Sequence, residues 1–231
     1  MTGLPCILRL TDGLRITVGS VVCVIPPVRL HAGQWMALVP ENPDPAMDPA
    51  GTIARCLISL HPPTRGTVEV FEQDVYNIGY REVQRLRARL GFVQGYGGLL
   101  SNRTIRDNVA LPVSEHARLP LEEETALVHR YIEAFGLHAV ADQRPHMVDG
   151  FTRWRTCLAR AMVLSPAYLV LEGIGDWAMD SGTGIAWRQL VAWHQTGRSG
   201  ICICASRRNR GFESWLEERG GIVVEYKERS V

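Results

Sequence analysis

The sequence predicts an α/β fold with a mainly parallel sheet. From residue 35 onward, short apolar runs alternate with helical runs, which is the pattern of strands joined by crossover helices. The run YLVLE, residues 168–172, is apolar up to its final acid. Strands of a parallel sheet have this composition because helices cover them on both faces.

Residues 6–39 are predicted to form short strands, and a turn at His31-Ala32-Gly33 precedes the last of them. A Pro-rich stretch from Pro40 to Pro49 then leads to the first predicted helix. The runs that predict these strands are ILRL, LRITV, VVCVI and WMALV.

The remaining chain is predicted to alternate helix and strand, with one longer helical region. Pro62-Pro63 end the first helix, and the run from Thr104 to about Gly136 is helical with breaks expected near Pro112 and Pro120. The other predicted helices span 52–60, 81–89, 151–164, 183–195 and 212–219, and the predicted strands span 67–71, 90–94, 168–172, 200–205 and 221–226.

Composition excludes several classes of protein. A net charge of +1 gives no electrostatic attraction to nucleic acid or anionic lipid, so nucleic acid is not expected as a partner. The six cysteines are scattered and form no CxxC pair, which predicts buried thiols rather than a disulfide framework or a zinc site. Neither a signal peptide nor a membrane span is predicted, so we expect a cytosolic protein or one held at a membrane by a partner.

The order of segments resembles the nucleotide-binding subunit of ATP-binding cassette (ABC) transporters. The run CLARAMVLSPAYLVLE is similar to the signature helix and Walker B strand of that family, and GFVQGYGGLLSNRTIRDNVALPVSEH to its Q-loop region. The end of the second run resembles the ATPases of Mla-type, Mce-associated phospholipid transporters. The resemblance implies one P-loop NTPase-like ABC ATPase domain over residues 1–231, with an N-terminal antiparallel β subdomain and a helical subdomain at about 95–165.

The phosphate-binding loop of that family, GxxxxGK[ST], corresponds to the longer stretch from Glu41 to Thr52. Its lysine falls on Ala50, and its magnesium-binding hydroxyl falls on Gly51, or on Thr52 with a slip of one residue. The only lysine of the chain is Lys227. A proline has no N–H to donate to a phosphate, and an acidic side chain repels it. The stretch contains three prolines and three acidic residues: Pro43, Pro45, Pro49, Glu41, Asp44 and Asp48.

The resemblance places Glu172 at the metal-binding acid of Walker B and Gly173 at the catalytic base, where a glycine cannot take a proton from water. Ser206 or Arg207 falls at the switch histidine.

The signature LSGG corresponds to VDGF, residues 148–151. Asp149 is expected to cap the following helix, because Asp is as good an N-cap as Ser. Gly150 is retained, and Phe151 replaces a glycine that lets phosphate approach.

The Q-loop glutamine, Gln94, is retained in a context that looks more intact than the nucleotide motifs. In the family this loop also lines the groove that grips the coupling helix of the permease. The residues predicted to contact a permease are Gln94, Tyr96, Leu99, Leu100, Asn102 and Arg103.

These substitutions predict a catalytically degenerate subunit with no catalytic residues, no metal site and no bound cofactor. We expect a cytoplasmic protein that binds the permease of a lipid-type transporter at the inner face of the membrane, and that pairs with itself or with a competent ABC ATPase. Two alternatives stay open. One is an active ATPase with a divergent phosphate loop, which would bind ATP and Mg²⁺. The other is a cytosolic scaffold unconnected with transport.

Overall fold

The computed structural model describes residues 4–43, 48–95, 98–173, 184–197 and 199–230. Its strands are β1 (Cys6–Val18), β2 (Val21–Ile25), β3 (Val28–His31), β4 (Trp35–Pro40), β5 (Arg65–Val70), β6 (Gln73–Asp74), β7 (Leu90–Val93), β8 (Tyr168–Glu172), β9 (Gly200–Cys204) and β10 (Ile222–Ser230). Its helices are α1 (Ala50–Leu57), α2 (Tyr80–Arg87), α3 (Ile105–His116), α4 (Leu121–Ala134), α5 (Gly150–Met162), α6 (Gly184–His194) and α7 (Arg210–Glu217). Short 3-10 turns cover His138–Val140 and Pro145–Met147.

The sheet has an antiparallel part and a parallel part, and β10 joins them. The strand order in the described residues is β6-β5-β1-β2-β10-β4-β9-β8-β7, with β3 paired to β1. β10 is antiparallel to β2, with Lys227 opposite Val24, and parallel to β4, with Val224 opposite Leu38. The predicted α/β fold, with a mainly parallel sheet and an N-terminal antiparallel β region, is confirmed.

The three central parallel strands are buried on both faces, which is why they have apolar sequences. Successive side chains of β4, β8 and β9 point to opposite faces, so each strand contributes to two cores. One core contains Ala37, Leu169 and Ile201, and the other contains Leu38 and Val170. Fully burying one such aliphatic side chain contributes about 1.5–3 kcal/mol. The strands that carry the candidate site are therefore rigidly held.

The break expected at Pro112 is wrong. α3 continues through this proline to His116, and its start is fixed by a capping box between Thr104 and Asp107. Proline removes one backbone donor from a helix. Burial of Val109 and Val113 on either side holds the remaining turns against the core. The break near Pro120 is confirmed, because α4 begins at the next residue.

Further differences concern the antiparallel part. The runs ILRL and LRITV, predicted as two strands, form the single strand β1. The short strand β3 was not predicted as a separate element. β5 ends one residue before the predicted Phe71, because Phe71 and Glu72 have positive φ angles of 50° and 64° and turn the chain into β6. None of these differences alters the parallel part of the sheet, where the candidate site lies.

Candidate functional site

The candidate site lies where the parallel strands β4, β9, β8 and β7 end. Because these strands run in the same direction, the residues that follow them meet at one edge of the sheet. The segments that meet there are the loop before α1, Ser206 after β9, Glu172 at the end of β8, and Gln94-Gly95 after β7. The sequence assigned all four to the nucleotide motifs, and the fold brings them to the same edge.

The start of α1 is capped by Asp48. The helix begins at Ala50, and its N-cap residue Pro49 provides no side-chain acceptor. Instead, Oδ1 of Asp48 accepts a hydrogen bond from the backbone N–H of Ala50 at 3.2 Å. The hydroxyl of Ser206 donates to the same oxygen. A carboxylate of the chain itself is thus bound at the positive end of the helix dipole.

Glu172 fills the space beside Gly51. A Cβ added to Gly51 would lie 2.7 Å from Oε1 of Glu172 and 3.3 Å from Nη2 of Arg55. Glu172 is only 9% exposed, and its Oε2 has no hydrogen-bond partner among the described residues. Burial raises the pKa of this carboxyl; the charge of Arg55 opposes the rise, and Asp48 adds to it.

The described residues at the start of α1 differ in charge from the phosphate loop that the resemblance implies. Ala50 is fully buried and carries no charge, and Gly51 carries no hydroxyl. Thr52 has a hydroxyl, which accepts a hydrogen bond from Nη2 of Arg55 at 3.4 Å. A polyanion at this edge would meet the carboxylates of Asp48 and Glu172. Residues 44–47, which include Asp44 and Pro45 of the corresponding loop, lie outside the described residues.

The single lysine lies at the start of the same loop. Nζ of Lys227 is 3.7 Å from Oε1 of Glu41, and the lysine side chain is 58% exposed. An exposed pair of this kind contributes about 0–1 kcal/mol, so it does not fix the lysine in place. An exposed cation therefore lies near Glu41, the first residue of the loop.

Gly173, at the position of the catalytic base, has a backbone conformation that favours glycine. Its φ is +71°, and its N–H donates to the carbonyl of Cys204 at 2.8 Å. Among the described residues, the nearest atom to a Cβ there would be Cα of Gly95, at 3.9 Å. An L-residue at this φ would be strained.

Beyond Ser206 the chain is held by ion pairs. Arg207 is exposed. Arg208 bonds to the buried carboxylate of Glu213 at 2.6 Å and also to Glu225. Neither residue at the switch position is a histidine, so the edge has no imidazole at that point.

The signature-like segment forms the start of α5. Asp149 is its N-cap, as expected, and accepts from the N–H of Thr152 at 2.6 Å. This hydrogen bond is the main reason that the pKa of Asp149 is lowered. Phe151 stacks on Trp154 and lies under the guanidinium of Arg155, and Gly150 is the first residue of the helix. These contacts lie within α5 and do not connect the segment to Glu172.

The Gln94 loop is held in place by two residues that the sequence did not identify. Asn108 is fully buried; it accepts from the N–H of Leu100 at 2.7 Å and donates to the carbonyl of Leu100 at 3.1 Å. Arg160 donates to the carbonyl of Gly98. Helical spacing places Asn108 on the same face as the buried Ile105, but it does not show that the loop residue Leu100 is its hydrogen-bond partner.

The predicted permease contacts differ in exposure. Leu99 packs against the core, whereas Leu100 is 42% exposed and Asn102 and Arg103 are exposed. Tyr96 lies outside the described residues.

A groove of about 310 Å³ lies between β7, α3 and α5, and Arg160 belongs both to it and to the Gln94 loop. Its lining includes Leu90, Phe92, Leu111, Leu164, Arg87 and Glu115.

Arg55 was also missed as a residue of the site. It lies three residues after Thr52, on the same face of α1, so helical spacing contained the signal. Within the described ranges, no three His, Cys, Asp or Glu side chains are grouped closely enough to hold a metal ion. No helix in the described part of the chain is long and apolar enough to cross a bilayer.

Curated relatives match about half of the chain. A methionine import ATP-binding protein of Mesorhizobium japonicum is 34% identical over 121 residues, which is 52% of this chain and 33% of that protein. The corresponding protein of Pseudomonas fluorescens is 34% identical over 142 residues, which is 61% of this chain and 43% of that protein. The matches therefore span less than half of the length of these relatives. Neither name refers to lipid transport, so the Mla-type assignment receives no support from these two.

Solved structures and a family profile extend the match. The dimeric structure of a bacterial ABC transporter cassette superposes with a TM-score of 0.75 at 19% identity, covering 96% of this chain and 98% of that one. A post-hydrolysis ATP-binding cassette bound to ADP and phosphate gives 0.71 at 20% identity, covering 88% of this chain and 89% of that one. The profile of the ABC transporter family matches residues 29–172, more than half of the chain. This chain therefore belongs to the ABC transporter family and has the fold of its ATPase domain.

Proposed function

We propose that this chain is a catalytically degenerate ATPase-like subunit of an ABC transporter. The observation that carries the proposal is the start of α1. Ala50 stands in place of the phosphate-binding lysine, and Oε1 of Glu172 lies 2.7 Å from the point where a side chain at Gly51 would begin. A subunit with this edge keeps the fold and the docking surfaces of an ABC ATPase without ATP turnover.

The subunit would pair with a second cassette, either its own copy or a competent ABC ATPase. The dimeric state of the structures that share its fold supports pairing. In such a pair, the start of α5 of one subunit would face the phosphate loop of the other, and the charges of these two segments favour a competent partner over a second copy. Asp149, at the start of α5, is the signature residue that would face a partner's phosphate loop, and Asp48 carries the same charge on this chain's own loop. In a homodimer these like charges would repel each other.

A permease would dock at the groove between β7, α3 and α5, next to the Gln94 loop. The lining, in which apolar residues lie beside Arg87 and Glu115, supports this assignment, as do the buried Asn108 and the half-buried Arg160, which hold the loop. Docking would place the protein at the cytoplasmic face of a membrane. Two classes of cargo follow from two observations. The segment NVALPVSEH favours a lipid, and the names of the curated relatives favour methionine.

A second candidate function is that of an active ATPase with a divergent phosphate loop. The identity to methionine import ATP-binding proteins favours it, as does the exposed Lys227 beside Glu41 at the start of the loop. In this case the lysine of β10 would replace the missing lysine of α1. A scaffold unconnected with transport is the third possibility, and it would dock to no permease.

Thermal unfolding of the full chain with ATP and Mg²⁺ separates the first two candidates. A ligand at about 100 times its Kd stabilises the native state by about 2.7 kcal/mol, or roughly 5–10 °C for a chain of this size. We expect no such rise for the unmodified chain. A rise would overturn the proposal in favour of the active ATPase, and its loss in Lys227→Met would assign the binding to that lysine.

Purification from detergent-solubilised membranes separates transport from scaffolding. A permease should accompany the unmodified chain and be lost from Arg160→Ala, which releases the Gln94 loop. Arg130→Ala, a substitution on α4 at an exposed position outside the groove lining, is the matched control and should retain it. Absence of any permease from the unmodified chain would favour the scaffold.

A further inference from the structure

The carboxylate of Asp48 occupies the place at α1 where a helix attracts an external anion. The N-terminus of a helix has unpaired N–H groups and a partial positive charge, which together bind phosphate in many proteins. In α1 the first turn contains no acidic residue, and the N-cap residue Pro49 makes no side-chain hydrogen bond. Asp48 supplies the missing acceptor through Oδ1, at 3.2 Å from the backbone nitrogen of Ala50.

A second contact holds this carboxylate from the other side of the edge. Ser206 follows β9, and its hydroxyl donates to Oδ1 of Asp48 across 158 positions of sequence. The two loops meet because β4 and β9 are parallel neighbours, with Leu38 opposite Cys204 and the N–H of Ala205 bonded to the carbonyl of Leu38 at 2.9 Å. The hydrogen bond therefore links the phosphate-loop segment to the switch segment.

The neighbouring residue Glu172 completes the closure. It is buried, its Oε1 fills the space beside Gly51, and its Oε2 has no partner in the described part of the chain. Side chains of the protein itself therefore lie at both places: Asp48 at the N–H of Ala50, and Glu172 beside Gly51.

We propose that Asp48 and Ser206 form an internal clamp, in which the Asp48 carboxylate replaces a bound phosphate at α1 and Ser206 fixes it there. Here a side-chain hydrogen bond joins the segments that follow β4 and β9. The clamp deepens the proposed function, on which its role as a phosphate substitute rests. The hydrogen-bonded pair itself can be tested whether or not ATP binds.

The test is a double-mutant cycle on the full chain with Asp48→Ala, Ser206→Ala and the combined variant. Loss of a helix-capping carboxylate should lower the melting temperature by about 3 °C in a chain of this size. Ser206→Ala should lower it by less. The combined variant should melt no lower than Asp48→Ala alone, because Ser206 acts through Asp48. Asp48→Asn, which retains an acceptor oxygen, should recover part of the loss.

Amide hydrogen exchange gives a readout that a local effect at Ser206 would not change. Both single variants should speed exchange in the peptide that begins α1, although Ser206 is distant from it in sequence. Melting temperatures that fall additively, or α1 exchange that Ser206→Ala leaves unaltered, would overturn the clamp.

The same samples distinguish failure of the clamp from failure of the proposed function. If the effects of the two substitutions on melting temperature are not additive and ATP with Mg²⁺ also stabilises the chain, the proposed function is overturned but the hydrogen-bonded pair is supported. If the effects are additive, the clamp is overturned, whatever the response to ATP.

Discussion

The closeness of Glu172 to Gly51 leads to a prediction whose sign depends on a second residue. Gly51 and Gly211 are both the second residue of an eight-residue helix, which makes Gly211 a matched control. A Cβ on Gly211 would meet its nearest atom, Oδ1 of Asn209, at an ordinary 3.5 Å. A Cβ on Gly51 would meet Oε1 of Glu172 at 2.7 Å.

The magnitude follows from two opposing terms. Replacing glycine by alanine in an unhindered helix stabilises a protein by roughly 0.5–1 kcal/mol. At Gly51 the carboxylate of Glu172 must retreat by roughly 0.8 Å to reach normal contact, and overpacking of this kind costs about 1–3 kcal/mol. The two terms leave a net destabilisation of about 1 kcal/mol. We therefore expect Gly51→Ala to lower the melting temperature by about 2–4 °C, and Gly211→Ala to raise it by about 2 °C.

The assay is thermal unfolding followed by circular dichroism, with urea unfolding as a second measure of stability. Glu172→Asp shortens the side chain by one methylene and should remove the clash. In that background, Gly51→Ala should therefore become neutral or stabilising. If Gly51→Ala raised the melting temperature as much as Gly211→Ala in both backgrounds, Glu172 would not lie against α1, and the argument that the site is filled would be refuted.

Three further predictions concern the surroundings of the site. Asn108→Ala should destabilise the fold by about 1–3 kcal/mol, because it leaves the backbone groups of Leu100 unpaired. Hydrogen exchange at Leu100 should accelerate, and unchanged protection there would contradict the role of Asn108. Gly173→Glu should yield no magnesium-dependent ATP hydrolysis, and hydrolysis above background would show that the phosphate loop works. Because residue 173 has a positive φ, the substitution should also lower the free energy of unfolding by about 1–2 kcal/mol, measured by urea titration. The pKa of Glu213 lies below its ordinary 4.5 mainly because Arg208 bonds to it, so its contribution to stability is complete above that value and is lost as pH falls through the folded-state pKa. Glu213→Gln should therefore flatten the fall of melting temperature below about pH 4.5, and an unaltered acid profile would show that this ion pair does not matter.

The order and type of most elements could be predicted from local pattern. The central strands are apolar because both faces are buried, and the helix that begins after Asp149 has a capping residue where the sequence predicted one. Pro112 was misjudged because the penalty of a proline is local, whereas the packing of Val109 and Val113 that offsets it depends on the rest of the fold.

At the candidate site, too, some features follow from the sequence and others only from the tertiary structure. The sequence alone determined which side chains are available: a single lysine, far from α1 in sequence, and Ala50, Gly51 and Gly173 at positions that the resemblance aligns with the nucleotide motifs of the family. The tertiary structure alone decided which side chains lie against the start of α1. Asp48 and Ser206 meet because the parallel register of β4 and β9 brings their ends together, and Glu172 reaches Gly51 because β8 ends at the same edge. Composition and periodicity contain no information about such contacts, since the distances depend on strand register between segments more than a hundred residues apart.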